Sequence, residues 1–535
     1  MDKNIVVGSG ASGVHFALTA LKKGCPVTML DIGREKPLPI LPEADLSLLK
    51  EQLDDPVCYL LGPNYESVTL GDSQSDFYSF PPSKRYVFQQ PRKMNFKNNG
   101  FEPVLSFARG GLGEAWTGGV YPFNDEEFVD YPFGYKDIKP FYEEVAERIG
   151  IGGESDDLAQ FIPVHKHLMQ PLRLDMHSQE LLNAYARHKS TLVRKYKCYL
   201  GRSRVAVLSE DRCDRSKCDY TGRCIWGCPG GAFYTPSLTL AECMKFPNFT
   251  YIPQMYVSHF KCDSSGRVKS VTAHSIDGGA PEEFQVDKLV LAAGPICTAE
   301  IFLKSIHRDT GEIAELHGLM DNRQILIPFV NLKMIGKPYD PDTYQFHLLA
   351  MGLEADNPKD YVHGQITCLT TALVHPIVQK IPLDLRTAID FFRNTRSGLG
   401  ILNLNFADTR RQGNMITLEK DCNGQTSLVI KYTAQPEESR EMRQAFRHAK
   451  KALFRLGCIV PPGTFRVRAK GESVHYAGTM PMSKNNGKYT TSEYCQSHYF
   501  ENLYIVDGST FPFLPAKNIT FTLMANAVRV AEATF

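Results

Sequence analysis

An α/β protein of two closely joined domains is what this sequence predicts, on three observations. A glycine-rich turn, Val7-Gly8-Ser9-Gly10-Ala11-Ser12-Gly13, stands between a β-branched apolar run and a helix-like one. A second apolar run, Asp287-Lys288-Leu289-Val290-Leu291, ends in the small residues Ala292-Ala293-Gly294-Pro295. The length, 535 residues, exceeds what one ordinary core organises.

In the first unit, Asn4-Ile5-Val6-Val7 reads as a buried strand and His15-Phe16-Ala17-Leu18-Thr19-Ala20-Leu21 as the helix after the turn. Gly8 then permits the tight turn, Gly10 lets the backbone approach a pyrophosphate, and Gly13 lets the helix pack on the strand. Phosphates would meet the positive end of the helix dipole. Asp31 closes the next strand, Pro26-Val27-Thr28-Met29-Leu30, where an acid takes ribose hydroxyls. Strand, turn, helix and acid in register predict a dinucleotide site, without separating FAD from NAD. Small residues after Leu291 leave room for a ligand at the carboxyl edge of a sheet. Between these units, Ala108-Arg109-Gly110-Gly111-Leu112-Gly113-Glu114-Ala115-Trp116-Thr117-Gly118-Gly119 is a second glycine cluster. It reads as backbone brought close to something flat or charged, or as a plain surface loop. The Pro- and polar-rich piece from Asp72 to Asn99 reads as an excursion or lid.

Charge is nearly balanced, 60 basic against 59 acidic residues, so bulk electrostatics gives no reason to expect nucleic acid or an anionic membrane as partner. No apolar run reaches the ~20 residues that cross a bilayer. The glycine segment begins at residue 8, leaving no room for a cleavable signal before it, so a cytoplasmic protein with mostly reduced cysteines is expected.

Taken together with the C-terminal segments, these motifs resemble the glucose-methanol-choline (GMC) oxidoreductase family of FAD enzymes. Gly110 to Gly119 resembles its glycine-rich loop beside the flavin. Phe133-Gly134-Tyr135-Lys136-Asp137-Ile138-Lys139-Pro140-Phe141-Tyr142-Glu143-Glu144 is similar to the following segment in the sugar-oxidising branch. Pro253-Gln254-Met255-Tyr256-Val257 is similar to the strand whose valine borders the adenine, and Leu291 to Leu303 to the second signature. Glu501-Asn502-Leu503-Tyr504-Ile505-Val506-Asp507-Gly508-Ser509 and Pro515-Ala516-Lys517-Asn518-Ile519-Thr520 match the C-terminal signature. The stretch from about 310 to 470 matches poorly, as expected where members differ in substrate.

The resemblance implies an α/β fold with a discontinuous, Rossmann-like FAD-binding domain (1–130, 200–310 and 495–535) and a substrate domain with a largely antiparallel sheet (131–199 and 311–494). Cofactor contacts are expected at Gly8, Gly10, Ser12, Gly13, Asp31, Gly111, Gly113, Trp116, Thr117, Gly118, Val257, Ala293, Asp507 and Thr520. It also implies oxidation of an alcohol group of a sugar, glycoside or polyol. Taking a hydride from an alcohol carbon requires removal of the hydroxyl proton, which a neutral imidazole does well near pH 7. By its match to the family's His-x-x-Gly-Thr segment, His475 is the expected base, with hydride passing to flavin N5. The family's second position, His or Asn, is Asn518 here; an amide is no base and should hold the substrate oxygen by hydrogen bonding. Ala115 replaces the flavin-linking His of some sugar oxidases, so the FAD is expected to be non-covalent. Oxygen, a quinone or a redox protein would accept the electrons. The competing reading is a flavoprotein using FAD structurally or for a non-redox lyase step.

Cys213, Cys218, Cys224 and Cys228 fall close together, with four, five and three residues between them. These spacings do not fit paired zinc-ribbon knuckles, and leave a compact thiol loop, iron–sulfur ligands or, least well, zinc as readings. In the poorly matching middle, Tyr344-Gln345-Phe346-His347 and Asn403-Leu404-Asn405 have the polar alternation of strands lining a hydroxylated ligand, or of ordinary half-exposed strands.

Overall fold

The computed structural model describes residues 3–36, 48, 51–63, 65, 80–91, 96–212, 214–369, 378, 381–420, 422 and 424–535. Of the excursion expected from Asp72 to Asn99, residues 80–91 and 96–99 are described; the rest lies outside the described residues, as does Cys213. In chain order the elements that position the site are β1 (Asn4–Val7), α1 (Ala11–Lys22), β2 (Val27–Leu30), α2 (Tyr135–Ile149), α3 (Met176–Tyr196), β3 (Cys198–Arg202), β4 (Phe249–Ile252), β5 (Lys288–Leu291), α4 (Pro295–Thr310), β6 (Arg323–Asn331), β7 (Leu349–Leu353), β8 (Val362–Cys368), β9 (Leu399–Phe406), α5 (Pro436–Arg455), β10 (Cys458–Ile459), β11 (Leu503–Ile505) and α6 (Thr520–Thr534).

The expected α/β fold is present. Strands β11, β5, β1, β2 and β4 form one parallel sheet in that order. Both faces are covered, so β1 and β5 can be apolar at nearly every position. The chain leaves β1 at the point where its neighbours come from opposite directions in the sequence, and ligands bind doubly wound sheets there. The sheet draws strands from the N-terminus, the 249–291 region and the C-terminus, which makes it discontinuous. Helix α6 is apolar on nearly all sides because it is buried between α1 and α2.

A second sheet, ordered β10, β6, β9, β8, β7, β3, is antiparallel throughout. Strand β3 straddles the boundary expected at 199/200. Alternation divides its faces. Ile325, Ile327, Leu402, Leu404, Ile366 and Met351 pack on one side with α3 and α5. Across the strands, Gln324 pairs with Asn405 and Asn405 with His363, while Leu326 pairs with Asn403 and Asn403 with Gln365. These paired residues share the opposite face, which is polar. No helix among the described residues is long and apolar enough to cross a membrane.

Candidate active site

At the end of β1 the backbone is compressed as the glycine pattern demands. Gly8 has φ +101° and a Cβ there would lie 2.7 Å from the Ala292 carbonyl oxygen; one on Gly13 would lie 2.1 Å from that of Gly8. By contrast, a Cβ on Gly10 meets nothing within 4 Å. Helix α1 begins without a capping side chain or an acidic residue in its first turn, where Ser12 sits, so its N–H groups face that open space. The turn thus offers the open space and uncapped helix start that a dinucleotide pyrophosphate needs. We expect Gly10→Val to fold normally yet purify without FAD, read from flavin absorbance and a thermal melt. A normal FAD content would move the pyrophosphate away from this turn.

Asp31 lies at the end of β2 as expected, but its carboxylate already accepts hydrogen bonds from Ser9 Oγ and, at 3.0 Å, from Tyr251 OH. Burial pushes its carboxyl up to about 6, against those two donors. Ser9 Oγ also accepts from Gly110 N at 2.9 Å, tying the second glycine cluster to the first turn. Gly111 follows with φ +63°, its Cβ direction 3.3 Å from Gly10 Cα. Ser9 acts as a hinge pin here, and Tyr251 was not legible as part of the site.

Other expected contacts separate into two groups. Ala293 lies just past β5 beside Gly294, whose Cβ direction is open. Val257 is buried on the hairpin strand that follows β4, and that strand is fastened to the β2 end by Met255 N donating to Asp31 O at 2.9 Å. Trp116 donates to Tyr234 O (2.8 Å), Thr117 O accepts from Tyr344 OH (2.8 Å), and Gly118 abuts the Phe233 ring. Thr520 opens α6. Gly113 and Asp507 do structural work in the protein itself. A Cβ on Gly113 would strike Pro236, and Asp507 accepts from Gly294 N (3.0 Å), Thr298 Oγ1 (2.5 Å) and Ser509 N (3.0 Å), which fixes the start of α4.

His475 is presented by a strained turn. Val474, a β-branched residue, has φ +60°, a conformation costing on the order of 1–3 kcal/mol. The turn is held from behind by Asp321, which accepts from Ser473 Oγ and, at 3.0 Å, from Gly471 N. Burial raises the Asp321 carboxyl to about 7. His475 Nδ1 lies 3.0 Å from Asn322 Oδ1. The Asn322 amide is oriented by its own Nδ2, which donates to Phe406 O (3.0 Å) and Pro515 O (2.8 Å). Its oxygen must therefore face His475, so Nδ1 carries the proton and Nε2 the lone pair. Burial lowers the imidazole to about 4, which keeps it neutral at physiological pH.

Asn322 also reaches the loop that carries Asn518, through Pro515 O. Asn518 Oδ1 accepts from Gln365 Nε2 at 2.6 Å. Its neighbour Lys517 is fully buried and donates to Glu127 Oε2 (2.6 Å), Pro122 O (3.1 Å) and Phe161 O (2.5 Å). Asn322, Gln365 and Glu127 lie outside every motif. Gln365 carries a sequence signal, polar residues alternating with apolar or small ones in Val362-His363-Gly364-Gln365-Ile366; Asn322 and Glu127 stand in runs of polar residues without such alternation.

The polar sheet face adjoins this pair through Gln365. On it Gln324 Oε1, Asn403 Oδ1 and His363 Nε2 have no partner among the described residues. Asn403 and Asn405 thus stand on the face expected of them. Gln345 instead accepts from Ile225 N at 2.9 Å and braces the cysteine loop, while His347 lies 3.3 Å from Thr117 Oγ1.

Cys218, Cys224 and Cys228 line one cavity with Phe233 and Tyr344. Burial pushes the Cys218 thiol up to about 12 and raises the Cys224 thiol as well. Among the described residues no group of three or more His, Cys, Asp or Glu is arranged to hold a metal ion. The iron–sulfur and zinc readings find no support here, and the three described thiols pack against the apolar cluster around Val207, Phe233 and Tyr344.

Residues 409–527 match the family model for GMC oxidoreductases, C-terminal region. The chain is 20% identical over 567 residues to 6'''-hydroxyparomomycin C oxidase of Streptomyces lividus and 21% identical over 559 residues to paromamine 6'-oxidase of Streptomyces fradiae. Each alignment covers 99% of this chain and 90% of the relative. Among solved structures it resembles pyridoxine 4-oxidase from Mesorbium loti (TM-score 0.61, 13% identity, 100% of this chain and 99% of that one). It also resembles an FAD-dependent oxidoreductase from Chaetomium thermophilum (TM-score 0.58, 13% identity, 99% and 98%).

Proposed function

We propose that this chain, a member of the GMC oxidoreductase family, is an FAD-dependent oxidoreductase that oxidises an alcohol group of a sugar, glycoside or polyol. The observation that carries the reading is the fixed tautomer of His475: a neutral imidazole with its Nε2 lone pair free to take a proton. His475 Nε2 removes the hydroxyl proton, and Asn518 Nδ2 donates to the substrate oxygen as negative charge develops on it. FAD bound at the Gly8–Gly13 turn supplies the hydride acceptor. Ala115 offers no nitrogen for a flavin link, so the cofactor is held without a covalent bond. The amide-rich face of Gln324, Asn403, Asn405 and Gln365 suits a substrate bearing several hydroxyls, because amides both donate and accept. Two of the relatives are named as oxidases of aminoglycosides, which favours a glycosidic substrate and oxygen as acceptor.

FAD-loaded protein should be incubated in air with paromamine, methyl glucosides and simple polyols. A product lighter by two hydrogens, with hydrogen peroxide formed in equal amount, supports the reading. Oxidised product without peroxide would keep the enzyme but replace oxygen by a quinone or redox protein. No oxidised product with any acceptor would sink it and favour the structural or lyase-type alternative.

A pH dependence follows from the burial of His475. Its folded value is lowered, so the base form persists on acidification below the ordinary imidazole value of 6.5 and is lost only near 4. The acid limb of kcat/KM should lie near pH 4. A limb at 6–7 would show that the working base is a solvated imidazole.

A further inference from the structure

We propose that Gln365 is a positioning residue for catalysis: from the substrate sheet it fixes which way the Asn518 amide points. The role assigned to Asn518 rests on the reading given above, and it depends on polarity. Only the NH2 end of a carboxamide stabilises an oxygen gaining negative charge; the carbonyl end repels it. A terminal amide rotates easily between the two, and nothing in Asn518 itself selects one. In this structure the selection comes from a donor at the contact point: the Gln365 amide turns its Nε2 to Asn518 Oδ1, 2.6 Å away. With Oδ1 occupied, Nδ2 is left for the substrate.

Gln365 is well placed to impose this choice. It is buried, 6% exposed, on β8, between Gly364 and Ile366. A Cβ on Gly364 would lie about 3 Å from Met351, Leu402 and Leu404, so the strand is seated tightly on its apolar side and its polar side cannot drift. On the site side Gly119 leaves just enough room: a Cβ there would lie 3.0 Å from Gln365 Nε2. Asn403, the cross-strand partner of Gln365, and His363, two residues before it, carry unpartnered polar atoms on the same face. Substrate hydroxyls held there and the reacting hydroxyl held by Asn518 are thus referred to one strand. Asn322 performs the matching task for His475, and the two amides together leave the catalytic pair as one acceptor and one donor.

Two near-isosteric variants separate this role from simple packing. Ionised Glu in Gln365→Glu can only accept, so Asn518 would turn its NH2 towards it and its oxygen towards substrate. Protonated Glu regains an O–H donor. Flavin reduction should be followed anaerobically from pH 5 to 9 with paromamine or methyl α-glucoside, whichever reduces the wild-type flavin. The Kd of the same probe should be taken from the concentration dependence, and FAD content and melting recorded alongside. For Gln365→Glu we expect a new limb, with reduction falling at least about 10-fold as pH rises through the carboxyl titration, from the loss of one preorganised donor. Gln365→Leu should be slow by at least about that factor at every pH. Both should keep wild-type FAD content, with probe Kd within about threefold, since the contact matters mainly as charge develops. A Gln365→Glu profile parallel to wild type, or Gln365→Leu within about twofold of wild type, overturns the proposal. Loss of FAD or of the melting transition in both variants also overturns it, making the contact a packing one. Failure of wild-type flavin to be reduced by either probe defeats the parent reading and this one together; normal wild-type reduction with unaffected variants defeats this one alone.

Discussion

Replacing His475 with alanine should slow flavin reduction by about 100-fold or more while leaving FAD bound, because general-base catalysis contributes on the order of 10²–10⁴. Asn518 is an amide. His347 is engaged by Ser203 and Thr117; His363, whose Nδ1 lies 3.0 Å from Tyr361 OH, keeps an Nε2 without a partner among the described residues, but burial and the nearby Lys517 charge hold it well below the ordinary imidazole value, so it should supply no more than a residual rate. The loss should appear in the limiting reduction rate more than in the substrate concentration needed to reach half of it, since proton removal belongs to the transition state. Retention of FAD is expected because the hydrogen bonds of His475 run to Asn322 and Ser473, not to the Gly8–Gly13 turn. Stopped-flow reduction under anaerobic conditions reads the rate, and flavin absorbance of the purified variant reads the occupancy. A wild-type rate in this variant would remove His475 from the chemistry.

The second large effect is on stability. Glu127 and Lys517 form an ion pair at 2.6 Å with side chains 1% and 0% exposed. Burial raises the Glu127 carboxyl and lowers the Lys517 ammonium, each opposed by the partner's charge. Such a pair adds little net stability over an apolar substitute of the same shape, but removing one member strands the other. Glu127→Ala should therefore cost about 3–5 kcal/mol in denaturant unfolding. The pair Glu127→Leu with Lys517→Met should cost much less than that single change. A single-variant loss below about 1 kcal/mol would mean that the lysine finds water or loses its proton cheaply. Lys517 precedes Asn518, and its three acceptors seat the loop, so the single variant should also reduce flavin more slowly even where it is folded.

The nucleotide half was legible from residues 4–31 because its constraints are local. Gly8 needs a positive φ, Gly13 has a backbone oxygen where a Cβ would go, and the strand and helix around them announce themselves by periodicity. His475 and Asn518 could be named from their segments. Their partners could not, because Asn322, Gln365 and Glu127 meet them across 153, 153 and, through Lys517, 390 positions of chain. No local pattern encodes such distances. The cysteine loop shows the same limit: its spacing left a compact thiol loop, iron–sulfur ligands and zinc all open, and in space the described thiols pack against Phe233 and Tyr344. Asp507 and Gly113 show a further limit. Asp507 lies in the C-terminal signature and Gly113 in the second glycine cluster, and neither motif disclosed that one also caps the turn at Ser509 and the other admits Pro236.

In the proposed reaction a substrate alcohol gives its proton to this chain and its hydride to the bound flavin. Anaerobic mixing of FAD-loaded wild-type protein with paromamine, methyl glucosides and polyols, followed by flavin absorbance, tests it most directly. The account predicts bleaching of the oxidised flavin bands by at least one of these alcohols, complete at saturation. Full FAD occupancy with bands unchanged across the whole panel would contradict it.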